Sequence, residues 1–423
     1  MTLSPQRRDR VFDASALRAT TRLAVLTFTL TIVASVAQAQ TFKVLHSFKG
    51  KTDGRNPLGS VIQDGSGNLY GTAWQGGDLN CRPSFGCGIV FKLGSGNNKE
   101  TILHSFAGGT DGEGPSASLL MDASGNLYGT TDTGGVGRYG TVFKINARGK
   151  LSILHSFTGG TDGAFPFSAV ISDESGNLYG TTFNGGAHGY GAVFKVNPSG
   201  KLTVLHSFNR ADGLSPLSGL VRDAAGNLYG TTVSGGYMGN GCGGLNGNGC
   251  GVVFKLARNG KLTLLYRFTG ADDGACPVGL IRDASGTLYG VTSWIIGGEL
   301  NCVSAGYGTV FKLERSSKLT TLHSFTGNAD GAYPSGDVIR DAVGNLYGAT
   351  VDGGNLNCDQ GFGCGTVFKL DANGVLTVLH TFTGRQDGAS PKAGLIGDAA
   401  GNLYGVASYG TANNGGVVFQ LAP

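Results

Sequence analysis

Seven Asp-Gly pairs recur along the chain, at Asp53, Asp111, Asp162, Asp212, Asp273, Asp330 and Asp387, each Gly followed three residues later by Pro. If a repeat fold gathers these loops on one face, their carboxylates would ring it as a site for a cation or a polar ligand, with calcium as the candidate ion. The competing role is local: an Asp in such a loop accepts backbone N–H bonds and sets the turn. No other cofactor is expected. Six histidines, His46, His104, His155, His206, His323 and His380, sit in LHSF or LHTF. Imidazoles ligate metals, but one per repeat keeps them too far apart to converge on one ion. Tyr266 takes the place of the histidine in another copy, so an aromatic hydrogen-bonding spacer suffices there.

Aromatic residues vary just after the segment LYGTT: Trp74 and Phe183 at one position, Trp294 and Tyr409 one place further on. On a rigid rim they would stack on sugar or peptide ligands, or else cover neighbouring loops. His188, the histidine outside the LHSF pattern, joins them as a ligand-binding candidate. Eight cysteines suggest an oxidising compartment. Cys81 with Cys87, Cys242 with Cys250 and Cys358 with Cys364 each fall within one insertion. Cys276 and Cys302 remain, in loops expected on the same face, and form the fourth expected disulfide. Zinc is the alternative, but CxxC spacing is absent.

These residues are positioned by a repeat. GNLYG begins at Gly67, Gly125, Gly176, Gly226, Gly344 and Gly401, and Gly286 starts GTLYG. The motif tyrosines, Tyr70, Tyr128, Tyr179, Tyr229, Tyr289, Tyr347 and Tyr404, are spaced by 50 to 60 residues. One unit reads as four short strands: residues 168–172, 178–182, 192–196 and 202–208, with Gly, Asn, Asp and Pro between them. Such a meander cannot bury both faces alone, and its strands are apolar on both, so the copies must pack against one another. In LTVLHSF, alternation turns Leu202, Val204 and Phe208 one way and Leu205 the other. The expected fold is all-β: a seven-bladed β-propeller of four-stranded antiparallel blades. Residues 41–48 look like a fourth strand without its first three, and residues 417–421 like a third strand without a fourth. Pairing them would close the ring. The Asp of the D-x-x-G-N turn (Asp64 and its six equivalents) is read as a hairpin residue.

Residues 1–39 differ from the rest. A basic start, the apolar run 23–36 and Ala37-Gln38-Ala39 read as a cleaved secretory signal, leaving 40–423 as a single propeller domain. The segment holds five Arg and two acidic residues, so the formal charge of +4 falls to +1 once it is removed. A nearly neutral protein has no electrostatic case for nucleic acid. No later stretch is long enough to span a bilayer as a helix.

At GNLYGTT…GG…GTVFKL…LTVLHSF the chain resembles the GloVer tandem repeat, the choice-of-anchor repeat of exported bacterial proteins, over roughly residues 41–423. Its strand-turn-strand wording is loosely similar to that of NHL-type propellers. The resemblance implies an exported β-propeller and no particular activity. The expected role is a secreted, periplasmic or cell-surface binding scaffold, monomeric and non-catalytic, taking an extracellular or cell-surface ligand through one loop face. An extracellular lyase or glycoside-acting enzyme would need unlike polar residues to converge near the axis. The off-repeat charged residues Glu113, Arg138, His188 and Glu299 fall in different blades. A structural surface or matrix component is the third reading.

Overall fold

The computed structural model describes residues 40–236, 242, 249–293 and 306–423. The first five strands show how one copy is built. β1 (Thr41–Ser47), β2 (Ile62–Gln63), β3 (Leu69–Ala73), β4 (Ile89–Leu93) and β5 (Glu100–Ser105) follow in order, and β2 to β5 form one antiparallel sheet. Each residue of LYG has its own task in β3. Leu69 is buried in the core. The Tyr70 hydroxyl donates to Asp64 Oδ2 at 3.0 Å, tying the strand to its own turn. Gly71 leaves room for Phe91: a Cβ there would come within 2.6 Å of the ring. The same Gly–Phe fit recurs in every blade, from Gly129 under Phe143 to Gly405 under Phe419. Asp64 also accepts from Asn68 and Ser66. Burial works against its charge, but these bonds outweigh that and hold its carboxyl below the usual range.

Seven such four-stranded sheets are present. Adjacent blades share a core at every seam, including the last with the first, where Phe48 and Val418 pack with Leu69 and Phe91. An outer-strand phenylalanine meets the third-strand phenylalanine of the next blade edge-on each time, as Phe157 meets Phe194 at 5.2 Å. β1 closes the ring. It pairs antiparallel with Val417–Ala422, from Thr41 opposite Ala422 to Ser47 opposite Val417, and becomes the outer strand of the seventh blade.

Two local features differ from the sequence reading. The outer strands carry a bulge: Val193 opposes His206 and Phe194 opposes Val204, leaving Leu205 between them. Simple alternation along LTVLHSF is therefore broken at Leu205, and the strand bends there. In blades one to four and seven the inner strands are also shorter than the apolar runs suggest. Ile171–Ser172 is paired, whereas 168–170 are not part of the strand. Proline and small residues start this segment, and it bonds sideways to the next blade instead: Ser60 N–H donates to Ser118 Oγ at 2.8 Å. In the fifth blade one residue is missing between the loop proline and the turn Asp. There Pro277–Arg282 pairs along its whole length.

Candidate functional site

The inner segments of all seven blades converge on one cavity of about 690 Å³ on the ring axis. Each chain segment enters it through a residue placed directly before the loop proline. That residue is left-handed in every blade: Asn56, Gly114, Phe165, Ser215, Cys276, Tyr333 and Ser390 have φ between 53° and 69°. Six of the seven are not glycine, so the ring holds backbone strain at its inner rim. Gly114 has a separate reason: a Cβ there would strike Asp132 Oδ1 and Trp74 Nε1.

Blades one to four present mainly small or apolar residues to the cavity, such as Gly59, Ser118, Ala169 and Gly219. Blades six and seven present Tyr333, Asp337, Asp352, Asp359, Lys392 and Tyr409. Asp337 accepts the Leu280 N–H at 2.9 Å, the same sideways bond that Ser118 makes to Ser60, here across the shortened fifth blade. Its side chain is exposed to the cavity, and the protein packed around the channel raises its carboxyl above the usual range. Asp352 is only 5% exposed, and its carboxylate has no hydrogen bond to any described residue. Burial pushes it to about 6; nearby Asp359 adds to the rise and Lys392 opposes it. The Lys392 ammonium lies over the Tyr409 ring, 4.8 Å from its centre. Tyr333 packs against Tyr307 at 5.8 Å.

Of the aromatic candidates, Tyr409 alone lines this cavity among the described residues. Trp74 turns to the neighbouring blade, its indole N–H donating to Asp132 Oδ2 at 2.8 Å. Beside it, Arg82 Nε lies 2.5 Å from Glu113 Oε1. Burial, with Glu113 adding to it, pushes the Asp132 carboxyl to about 7. These four residues line a separate pocket of about 120 Å³. Phe183 packs edge-on against Phe167 at 5.4 Å. His188 is exposed on the following loop. Trp294, Glu299 and Cys302 lie outside the described residues.

The inter-blade and Gly-rich loops do share a face, joined by bridges such as Arg55 to Gln75 and Ala389 to Tyr409. The seven loop aspartates do not ring its axis, and none lines the central cavity. Asp111, Asp162, Asp212, Asp330 and Asp387 instead face the histidine of their own outer strand at 3.1–3.3 Å, and Asp273 accepts from Tyr266. Each also accepts a loop N–H, as Asp162 does from Thr158. Asp53 accepts from Lys49 N–H. Satisfying its own loop draws each carboxylate outward. Disulfides join Cys81 to Cys87, Cys242 to Cys250 and Cys358 to Cys364. Cys276 is also disulfide-bonded.

Sequence reasoning missed Asp337, Asp352, Lys392 and Tyr333. Their signal was available as departures from the repeat at aligned positions: Asp337 stands where other blades have Ser60, Ser118, Ala169, Gly219 or Gly394.

Similar folds recur among solved structures. Virginiamycin B lyase from Staphylococcus aureus aligns with a TM-score of 0.57 at 12% identity, covering 91% of this chain and 99% of that one. An oligogalacturonate lyase in complex with manganese aligns at 0.53 and 13%, covering 90% and 92%. An extracellular domain from B. thetaiotaomicron, assigned to a one-component system, aligns at 0.52 and 12%, covering 91% of this chain and 40% of that one. At these identities the likeness is one of fold. No curated protein matches the sequence. The repeat sequence itself matches the Gloeobacter/Verrucomicrobia repeat over residues 24–244 and 242–423. With its seven blades built on that unit, the chain belongs to the Gloeobacter/Verrucomicrobia repeat family.

Proposed function

We propose that this propeller is an exported, non-catalytic binding protein that takes a glycan at the axial cavity, on the side of blades six and seven. The observation that carries the reading is the gathering of unlike polar and aromatic residues there, against small or apolar ones opposite. Asp352 is the sharpest sign: a residue only 5% exposed, its carboxylate at the cavity wall and without a hydrogen bond from any described residue. A ligand hydroxyl or amine entering the cavity can donate to it in place of water. Tyr333 and Tyr409 supply ring faces for sugar stacking, and Ser335, Ser390 and Lys392 supply donors. Disulfides suit an oxidising compartment, and among the described residues no helix is long and apolar enough to cross a membrane. Screening the purified protein on glycan and peptide arrays tests the reading. Glycan binding should appear and be lost in Asp352→Asn and Tyr409→Ala. Binding confined to peptides, or glycan binding indifferent to both variants, would overturn it.

A second reading, a lyase or glycoside-acting enzyme, draws support from Asp337 and Asp352. Both carboxyls are raised, Asp352 to about 6, a range suited to proton transfer. Product release from uronate-containing and neutral oligosaccharides would separate the two readings.

A further inference from the structure

The seam where the ring closes departs from the other six. In five blades the outer strand begins with a leucine, at Leu151, Leu202, Leu262, Leu319 and Leu376, and the seventh has Phe42 there. This position covers the outer-strand histidine of the preceding blade: the Phe42 ring stacks on His380 with centres 3.7 Å apart. On the first blade the residue is Glu100. Its Oε1 lies 3.6 Å from His46 Nε2. Neither atom has a hydrogen-bond partner, and both are shut off from solvent. The His46–Asp53 couple is open as well: Asp53 keeps its bond from Lys49 N–H, but His46 does not reach it as His104 reaches Asp111. One nitrogen of His46, one oxygen of Asp53 and one of Glu100 all lie within 4.8 Å of one another.

We propose that His46, Asp53 and Glu100 bind a divalent cation of the zinc type, which clasps β1 to β5 across the closing seam. Tetrahedral ligands about 2.0–2.2 Å from zinc stand roughly 3.4 Å apart. The His46–Glu100 pair already has that spacing, too long for a hydrogen bond and right for two ligands of one ion. Asp53 needs only a side-chain adjustment to join them, and water completes the shell. An imidazole among two carboxylates favours zinc or a similar transition ion over calcium or magnesium, which take oxygen donors. The nearest cation, Lys49, is exposed. All three ligands lie between residues 46 and 100, so the ion would fix β1, which the seventh blade holds only through its pairing with Val417–Ala422, against the first blade.

The test uses the full propeller stripped with chelator, then titrated with zinc, manganese or calcium. Metal content and melting temperature are the readouts. One equivalent of zinc should bind, and saturating zinc should raise the melting temperature by several degrees. Glu100→Leu, which installs the residue of five other blades, should fold, remain at least as stable without metal, and lose the zinc response. Asp162→Asn, at an ordinary seam, should keep it. No bound zinc in the wild type, an undiminished response in Glu100→Leu, or an equal response to calcium would each overturn the proposal.

Discussion

At the outer rim the same contact returns blade after blade: a histidine or tyrosine meets the loop aspartate at 3.1–3.3 Å in six of them. At the inner wall the residues following the loop proline are Leu58, Ser116, Phe167, Leu217, Val278, Ser335 and Lys392. The rim must satisfy identical hairpins and identical seams, so one solution serves every copy. The wall faces a shared cavity, where each blade can differ without disturbing the packing behind it. Repetition therefore marks what holds the ring, and its breakdown marks where a ligand would be told apart.

That contrast can be broken most forcefully at a seam. Phe194→Ala removes a fully buried ring packed over Gly180 and against Phe157. It should destabilise by about 3–5 kcal/mol in urea unfolding. Phe143→Ala and Phe254→Ala should cost about the same; widely different values would show that the seams are not equivalent. Next comes the pocket between blades one and two. The Asp132 carboxyl is raised to about 7, so its proton favours the folded state at low pH. That contribution is lost as pH rises from about 4 to about 7. Asp132→Asn should remove this decline, worth roughly 2–4 kcal/mol, in melting curves taken between pH 4 and 8. The turn aspartates act in the opposite sense. Asp64, Asp122 and Asp173 are held low, so their stabilisation is present above the ordinary carboxylate range and fades as pH falls below it.

A smaller effect is expected at the rim. Asp162→Ala breaks bonds from His155 and Thr158 and should destabilise by about 1–3 kcal/mol while leaving glycan binding intact. The smallest effect on stability belongs to the wall: Lys392→Ala should change it by no more than about 0.5 kcal/mol, yet weaken glycan binding severalfold in calorimetry. A large loss of stability from Lys392→Ala, or a loss of binding from Asp162→Ala, would erase the distinction.

Much of the ring was legible because the repeat states its own packing. Leu, Tyr and Gly in LYG each meet a constraint that recurs, and the stray strand at residues 41–48 foretold the closure. The site was less legible. Single deviations such as Asp337 look like noise in a repeat until the fold brings them to one cavity with Lys392 and Asp352. Trp74 misled in the other direction: a rare aromatic on a loop face is a ligand-binding signal by type, but Asp132, from the next copy, claims its N–H. The loop aspartates misled likewise, since residue type cannot say whether a carboxylate faces the axis or its own hairpin.

The pairing of Thr41 with Ala422 has a consequence for biogenesis. At about 5–20 residues per second, a ribosome needs roughly 20–75 s to make the partner of the first strand after that strand has emerged. Through that interval the newborn polypeptide carries an unpaired edge, a hazard that a chaperone or delayed collapse would have to cover. Circular permutants that open the ring between two other blades would shorten the wait, and their refolding yields would reveal how much the native order sacrifices.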